Sequence, residues 1–517
     1  MHTNKSSQPA LFLFAKVVGT AIFDFAARGL THFYEKHVKE SSHDSIASRI
    51  WTFLARKTVL KQGLEKYFEE ETDFCRQLDD FEPNWKFSDR KGRHSGEEKV
   101  GGDSEMSLGD LVHTLKSELD VKKVYCWHAI HGYWRGVTNE MGDSIGINVA
   151  QIFTKPSEKL LRMEPQMAYD TPTLFGAGLI DSKKDLKIFY DHLHTPLVNA
   201  GVDGVKVDVQ SGISASGSGV QGINQLGMAY TQAMENSVNK RFPGDNGGVE
   251  VINCMCHNTE NLYRYDSTAM ARASDDFYPD RSETWTTHLV NVAYNSKSCS
   301  HCKDYESFSR QNLIFLRLLC YFLAARAIGG VAVYVSDVPG EHDFDLLKKL
   351  VLPDGSILRA QSHGRPTRDA LFADVGQDGV STLKVWNTNR NEVLSGGKSG
   401  GGVVGAFNVQ GVAWDFAAHD NKHITDNPSP VIAMVKPHDV ETLRSFDGPF
   451  AVYSHRSKSL DVLSNGSNAL RKTIDPAEWE VFTVEPIQQN DFVTWAPIGL
   501  GDMLNSGGAL SHNYDQR

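Results

Sequence analysis

Two clusters of charged residues, each at the end of an apolar run, carry the types and spacing that chemistry would use. In Gly201–Gln210, Val205, Val207 and Val209 alternate with Lys206, Asp208 and Gln210, the period of two that marks a strand. A lysine and a carboxylate on the second face of such a strand need an explanation, because burying unpaired charge is costly. One explanation is a structural Lys206–Asp208 ion pair; the other is a catalytic carboxylate held in a polar pocket. The second cluster is Arg272-Ala273-Ser274-Asp275-Asp276, after the strand-like run Thr268–Ala273. Neighbouring carboxylates repel, so one of them keeps its proton to higher pH than usual. Two carboxylate clusters at two strand ends suit retaining glycosyl transfer. One carboxylate attacks the anomeric carbon, and the other protonates the leaving oxygen and later deprotonates the acceptor, at a separation of about 5–5.5 Å. Paired Asp residues also serve as caps and turn formers, and spacing alone leaves both roles open.

The elements around these clusters alternate. Ser107 is a helix cap for Leu108, Leu111, Val112, Leu115 and Leu119, which follow helical spacing, and Val121–Trp127 reads as the next strand. Helix 184–200 precedes strand 202–209 through Gly201, helix 224–241 precedes strand 249–255, and helix 311–326 precedes strand 330–335. Phe344–Val351 starts a further helix. Repeated helix–strand units imply a parallel sheet with its chemistry at one rim. Five or six strands are countable between residues 121 and 336; a closed eight-stranded barrel needs two more, which the N-terminal third does not visibly supply. After residue 378 short alternating runs appear (Ser381–Trp386, Val403–Val409, Val431–Lys436, Pro449–His455, Glu480–Pro486), separated by glycine-rich turns such as 396–402, the pattern of an antiparallel β-domain with hairpins. Residues 1–90 read as mostly helical, Lys86–Gly109 as a linker, and the tail from Gly499 as polar and loose. The expected domains are therefore 1–106, 107–377 and 378–517.

Composition narrows the function classes. The chain has 517 residues and a net charge of −11, which argues against nucleic acid and anionic membrane as partners. Its apolar start, Ala10–Ala15, is interrupted by Lys16, Asp24 and Arg28, too early for a membrane span. Seven cysteines are too few for a disulfide framework in a chain this long, so a reducing, cytoplasmic setting is expected. Cys299, His301 and Cys302, with Cys254, Cys256 and His257, hold zinc-binding side chains at no recognised spacing, and incidental cysteines are the simpler reading. Ser211–Gly222 follows a strand but lacks a phosphate-cradle ending and reads as a flexible active-site loop. His128, His131 and His257 are either general bases or hydrogen-bonded wall residues.

Together, Gly201–Gln210 and Arg272–Pro279 closely resemble the plant raffinose synthases, seed imbibition proteins and alkaline α-galactosidases (glycoside hydrolase family thirty-six). Further matches are Val124–Trp134, Cys254–Thr259, Tyr334–Gly340, Phe344–Ala360, Gly364–Asp369 and Val404–Gly411. The resemblance covers roughly residues 110–490. It implies a (β/α)8-type barrel and a C-terminal antiparallel β-sandwich-like domain acting on α-linked galactose, with no metal or organic cofactor. It also implies Asp208 as nucleophile, Lys206 and Arg272 as ligands of galactose hydroxyls, and Trp127 and His128 as pocket walls. The acid/base falls on Asp275 by the Ser-Asp step and on Asp276 by counting from Arg272. Galactinol would be the donor and sucrose the acceptor, or water the acceptor in a hydrolase.

Two stretches depart from the family pattern. The first two barrel strands, including an Asp-Asp-Gly-Trp motif that grips galactose, are not recognisable; Asp79-Asp80-Phe81 lies in a helical context. After Tyr294-Asn295-Ser296 the family's Gln-Pro-Asp-Trp-Asp segment is replaced by Lys297–Lys303 and a run on to Tyr321, before Ala324–Gly330 restores the match. A divergent or inactive galactoside-binding relative and an incomplete version of an active one both fit these departures.

Overall fold

A capping box opens the first described helix: the Ser107 hydroxyl accepts from Asp110 N at 3.1 Å, and Asp110 in turn accepts from Ser107 N. That helix, α1 (Leu108–Ser117), leads to strand β1 (Tyr125–Ala129). The computed structural model describes residues 76–79, 107–217, 220, 222–245, 247–268, 270–274, 276, 278, 281–298, 316–330, 343–389, 392–394 and 398–510. The chain divides into two compact units, 1–75 and 76–517; every described residue belongs to the second. The helical reading of residues 1–90 lies outside the described residues except at 76–79, where Leu78 forms a parallel bridge with Val137 instead. Linker residues 86–106, residues 331–335 of the expected strand and the Cys299–Cys302 cluster lie outside them as well.

Two helix–strand units follow. Helix α2 (Lys183–Asn199) feeds β2 (Gly204–Asp208), and α3 (Ile223–Arg241) feeds β3 (Val251–Asn253). Parallel pairing gives the order β1–β2–β3, and a parallel bridge from Asn253 to Ala271 extends it by one position. Among the described residues of the expected strand Thr268–Ala273, a single bridge forms, at Ala271. Leu186, Phe189 and Tyr190 of α2, spaced for one helix face, bury against Val205 and Val207 of β2 together with Leu226, Tyr230 and Met234 of α3. Removing these side chains from water supplies most of what holds helices to sheet. The opposite face of β2, bearing Lys206 and Asp208, is left for the site. The loop expected at Ser211–Gly222 contains a short helix, Gly212–Ser216.

Beyond α4 (Trp285–Ser298) and α5 (Leu316–Gly329) the chain becomes antiparallel. Its main strands are β4 (Arg365–Pro366), β5 (Leu383–Thr388), β6 (Gly402–Phe407), β7 (Val431–Val435), β8 (Phe450–Ser454), β9 (Ser459–Leu463), β10 (Leu470–Ile474) and β11 (Trp479–Pro486), with short hairpin strands besides. Six of them form one sheet in the order β9–β8–β11–β6–β5–β4, while β7 and β10 form a ribbon. One sheet face, with Val404, Ala406, Val452, Phe482 and Val484, packs on Val431, Ala433 and Ile474 of the ribbon. The other, with Val385, Val403 and Val481, packs on Leu289 of α4 and on Phe322 and Ala327 of α5. Both faces being covered explains why β11 is buried along its whole length. The α/β region of parallel units followed by an antiparallel β-region agrees with the sequence reading.

The tail is not loose up to residue 510. Gly499, at φ +83°, turns the chain back, and Leu504 N donates to Lys349 O at 3.0 Å. Ser506 Oγ meets Thr483 Oγ1 at 2.8 Å, and Asn505 and Ser506 are buried. The polar sequence suggests a solvent-facing tail because the partners of these residues are far away along the chain. Phe482 is fully buried between sheet and ribbon, so Phe482→Ala is expected to cost about 3–5 kcal/mol, read as a lower urea midpoint; an unchanged midpoint would contradict this packing.

Candidate active site

Asp208 is the last residue of β2 and is 7% exposed. Its Oδ2 accepts from the Trp127 indole Nε1 at 2.9 Å, and its Oδ1 from Val209 N at 2.7 Å. Trp127 reaches it because β1 and β2 pair in register, Trp127 beside Lys206 and Ala129 beside Asp208. These donors, rather than Lys206, meet the two carboxylate oxygens. Lys206 shares the strand face with Asp208 and is half-buried.

Val209 breaks the valine alternation. It sits at φ +55°, a strained region for a β-branched residue, just after its N–H has met the carboxylate. The chain then carries the buried Gln210 backwards, where Nε2 donates to Val207 O at 3.0 Å and to Asn253 Oδ1 at 2.8 Å. Asn253 Nδ2 donates to Thr268 Oγ1 at 3.0 Å, and Tyr265 OH donates to Gln210 Oε1 at 2.7 Å. Behind them Glu235 of α3 accepts from the backbone N–H of Asp266, Ser267 and Thr268. This network ties the ends of β2 and β3 to the segment that leads into Arg272.

Cys254, just past β3, bridges the two carboxylate clusters. Arg272 Nη1 lies 3.5 Å from its Sγ, while Arg272 Nη2 forms an ion pair with Asp276 Oδ1 at 2.7 Å. Burial first, then the Asp208 charge, pushes the Cys254 thiol up to about 11. Arg272 is buried, whereas the Asp276 side chain is 60% exposed. Asp208, Trp127, Lys206, Arg272 and Asp276 are therefore brought to one region of one sheet face; Asp275 lies outside the described residues.

His128 is not part of that group. Adjacent strand residues face opposite sides, and its ring enters the helix layer. There Nε2 meets His194 Nε2 at 3.1 Å, and His194 Nδ1 meets Ser237 Oγ at 2.8 Å. It is hydrogen-bonded, but within the helix layer and not in a wall of the pocket. His131 is likewise buried, and burial pushes its imidazole down to about 4. Sequence reasoning misses Tyr133 and Trp134 as site residues, although both lie in the matched motif. Their rings stand 5.7 and 5.8 Å from that of Trp127, and the Trp127 side of this aromatic group is partly exposed, a suitable face for sugar C–H groups. It also misses Cys254, Gln210 and Asn253 as members of the site, and only the fold relates them. Among the described residues no three His, Cys, Asp or Glu side chains gather as a metal site.

Residues 46–515 match the family described as "Raffinose synthase or seed imbibition protein Sip1", and the chain belongs to that family. Among curated proteins it is similar to the probable galactinol–sucrose galactosyltransferase 1 of Arabidopsis thaliana, 39% identical over 458 residues, covering 86% of this chain and 57% of that protein. The probable galactinol–sucrose galactosyltransferase 6 of the same plant is 40% identical over 422 residues, covering 80% of this chain and 53% of that one. The chain thus spans about half the length of these relatives. Among solved structures, alpha-galactosidase I from Mortierella vinacea is 11% identical at a TM-score of 0.37, covering 60% of this chain and 73% of that one.

The buried histidine gives a pH prediction. Burial lowers the His128 pKa from 6.5 to about 4, outweighing the Ala129 carbonyl and the Asp208 charge. Between those values the unfolded chain takes up a proton that the folded chain refuses. Stability is therefore intact above about pH 6.5, declines as pH falls towards 4, and levels off below it. The His128 share is about 3 kcal/mol, and His128→Gln is expected to flatten that decline in urea titrations between pH 4 and 7. An equally steep decline in the variant would contradict the assignment.

Proposed function

We propose that this chain transfers an α-galactosyl group by retaining double displacement, with galactinol as donor and sucrose as acceptor. The observation that carries the reading is the Asp208 carboxylate at the end of β2, fixed by two N–H donors and linked through Cys254 and Arg272 to Asp276. The names of the curated relatives supply the sugars. The parallel units are read as part of a (β/α)8 barrel, with 107–377 as catalytic domain and 378–517 as β-sandwich-like domain. The thiols of Cys126 and Cys254, in no disulfide, support a cytoplasmic setting.

In this reading an Asp208 oxygen attacks C1 of galactose while the leaving oxygen takes a proton from Asp275 or Asp276. A covalent galactosyl ester on Asp208 results. The acid/base, Asp275 or Asp276, ionised by that transfer, then removes a proton from a sucrose hydroxyl as that oxygen attacks C1 and the ester bond to Asp208 breaks. Lys206 and Arg272 donate to sugar hydroxyls. The Trp127 N–H holds the attacking carboxylate, and the exposed part of its ring borders the sugar. Neutral His128 takes no part beyond supporting β1.

The exposure of Asp276 favours a second reading, hydrolysis, in which water takes the place of sucrose. Purified chain incubated with galactinol plus sucrose, and separately with a chromogenic α-galactoside, separates the two by product. Asp208→Asn is expected to lower either activity at least about a thousandfold. Trp127→Phe, which removes one hydrogen bond to a charged group, is expected to cost about tenfold to a hundredfold. Folded wild type as silent as Asp208→Asn on both substrates would overturn the enzyme reading and leave a galactoside-binding relative.

A further inference from the structure

Far along the chain from Asp208, the face of the six-stranded sheet that carries Thr483 also carries a carboxylate with no partner among the described residues. Glu485 of β11 is fully buried and Asn389, just past β5, is 2% exposed. Neither Glu485 oxygen has a hydrogen-bond partner among the described residues, and neither do Oδ1 and Nδ2 of Asn389. The sheet register explains why they meet. Gly402 pairs with Thr388 on one side and Val484 on the other, so Gly401 stands between Asn389 and Glu485. A Cβ on Gly401 would overlap Glu485 Oε1; glycine is what lets the carboxylate fold across the strand. The tail covers the pair from above. A Cβ on Gly507 would lie 2.5 Å from Asn389 Nδ2 and 3.4 Å from Glu485 Oε1, and the neighbouring Ser506 is bonded to Thr483.

Four polar atoms from two buried residues, enclosed by two glycines, demand a polar occupant, since unpaired buried polar groups are strongly unfavourable. Three of the four are oxygen acceptors once the Asn389 amide turns its carbonyl inward, an orientation that no other contact among the described residues opposes. Burial alone pushes the Glu485 carboxyl well above its ordinary value, so its charged form requires a compensating positive charge. One unit of charge balances it. A divalent ion would leave a net charge in the sheet–tail layer, and the carboxylate and amide oxygens suit a hard cation rather than a soft one.

We propose that Glu485 and Asn389 bind one monovalent alkali cation, sodium or potassium, which fastens residues 499–510 to the sheet. The test is thermal unfolding of the full chain in sodium chloride, potassium chloride and N-methylglucamine chloride at matched ionic strength. The midpoint is expected to be higher in at least one alkali salt, by about 2–4 °C, and to rise with the logarithm of its concentration. Comparison of the two alkali arms identifies the ion. Glu485→Gln is expected to erase the difference between salts; should that variant not fold, Asn389→Leu serves the same comparison. Equal midpoints in all three salts would overturn the proposal, and so would an alkali-specific gain that survives in the variant.

Discussion

A carboxylate removed from water at the end of a strand has to be given donors, or it will hold a proton instead of a charge. Asp208 receives two, and each depends on a separate feature of the fold. The Trp127 indole arrives because β1 and β2 run parallel and in register. The Val209 N–H is available because β2 ends at Asp208, and the chain turns left-handed at the next residue. The strain is held in place by Gln210, which is tied to Val207 and Asn253. The geometry at Asp208 is thus a consequence of how the sheet ends, and loosening the polar network behind it would release the carboxylate.

The same logic of supplied partners organises the C-terminal region. The six-stranded sheet is covered on one face by helices and on the other by the β7–β10 ribbon, so charged groups pointing from it need internal counterparts. Lys384 finds them in Asp439 and Asp369, at 2.7 and 2.8 Å. Glu480 accepts from Arg456 N and Ser457 N. Glu485 has no such donor among the described residues, which is why it stands apart from the other buried charges.

Periodicity made the architecture legible. The alternation at 205–208 placed Lys206 and Asp208 on one face, and the helix expected at 184–200, ahead of that strand, is α2. The change of pattern after residue 378 marked the antiparallel sheet. The same period of two assigns Trp127 and His128 to opposite faces, a signal that separates two residues the family resemblance groups as pocket walls. What sequence could not display were contacts between distant polar residues: Gln210 with Asn253, Ser506 with Thr483, Arg272 with Cys254. These depend on strand ends and turns that only the fold brings together. The positive φ at Val209 was hidden as well, because a third valine in register looks like more strand.

In the proposed reaction the Asp208 carboxylate forms a covalent bond to a galactose C1. A mechanism-based α-galactosyl fluoride bearing a 2-fluoro substituent, followed by proteolysis and mass spectrometry of the full chain, tests it directly. One added fluorogalactosyl group is expected, located on the peptide at Asp208 and absent from Asp208→Asn. Label on any other residue would contradict it, as would turnover of galactinol by a chain whose Asp208 peptide stays unmodified throughout.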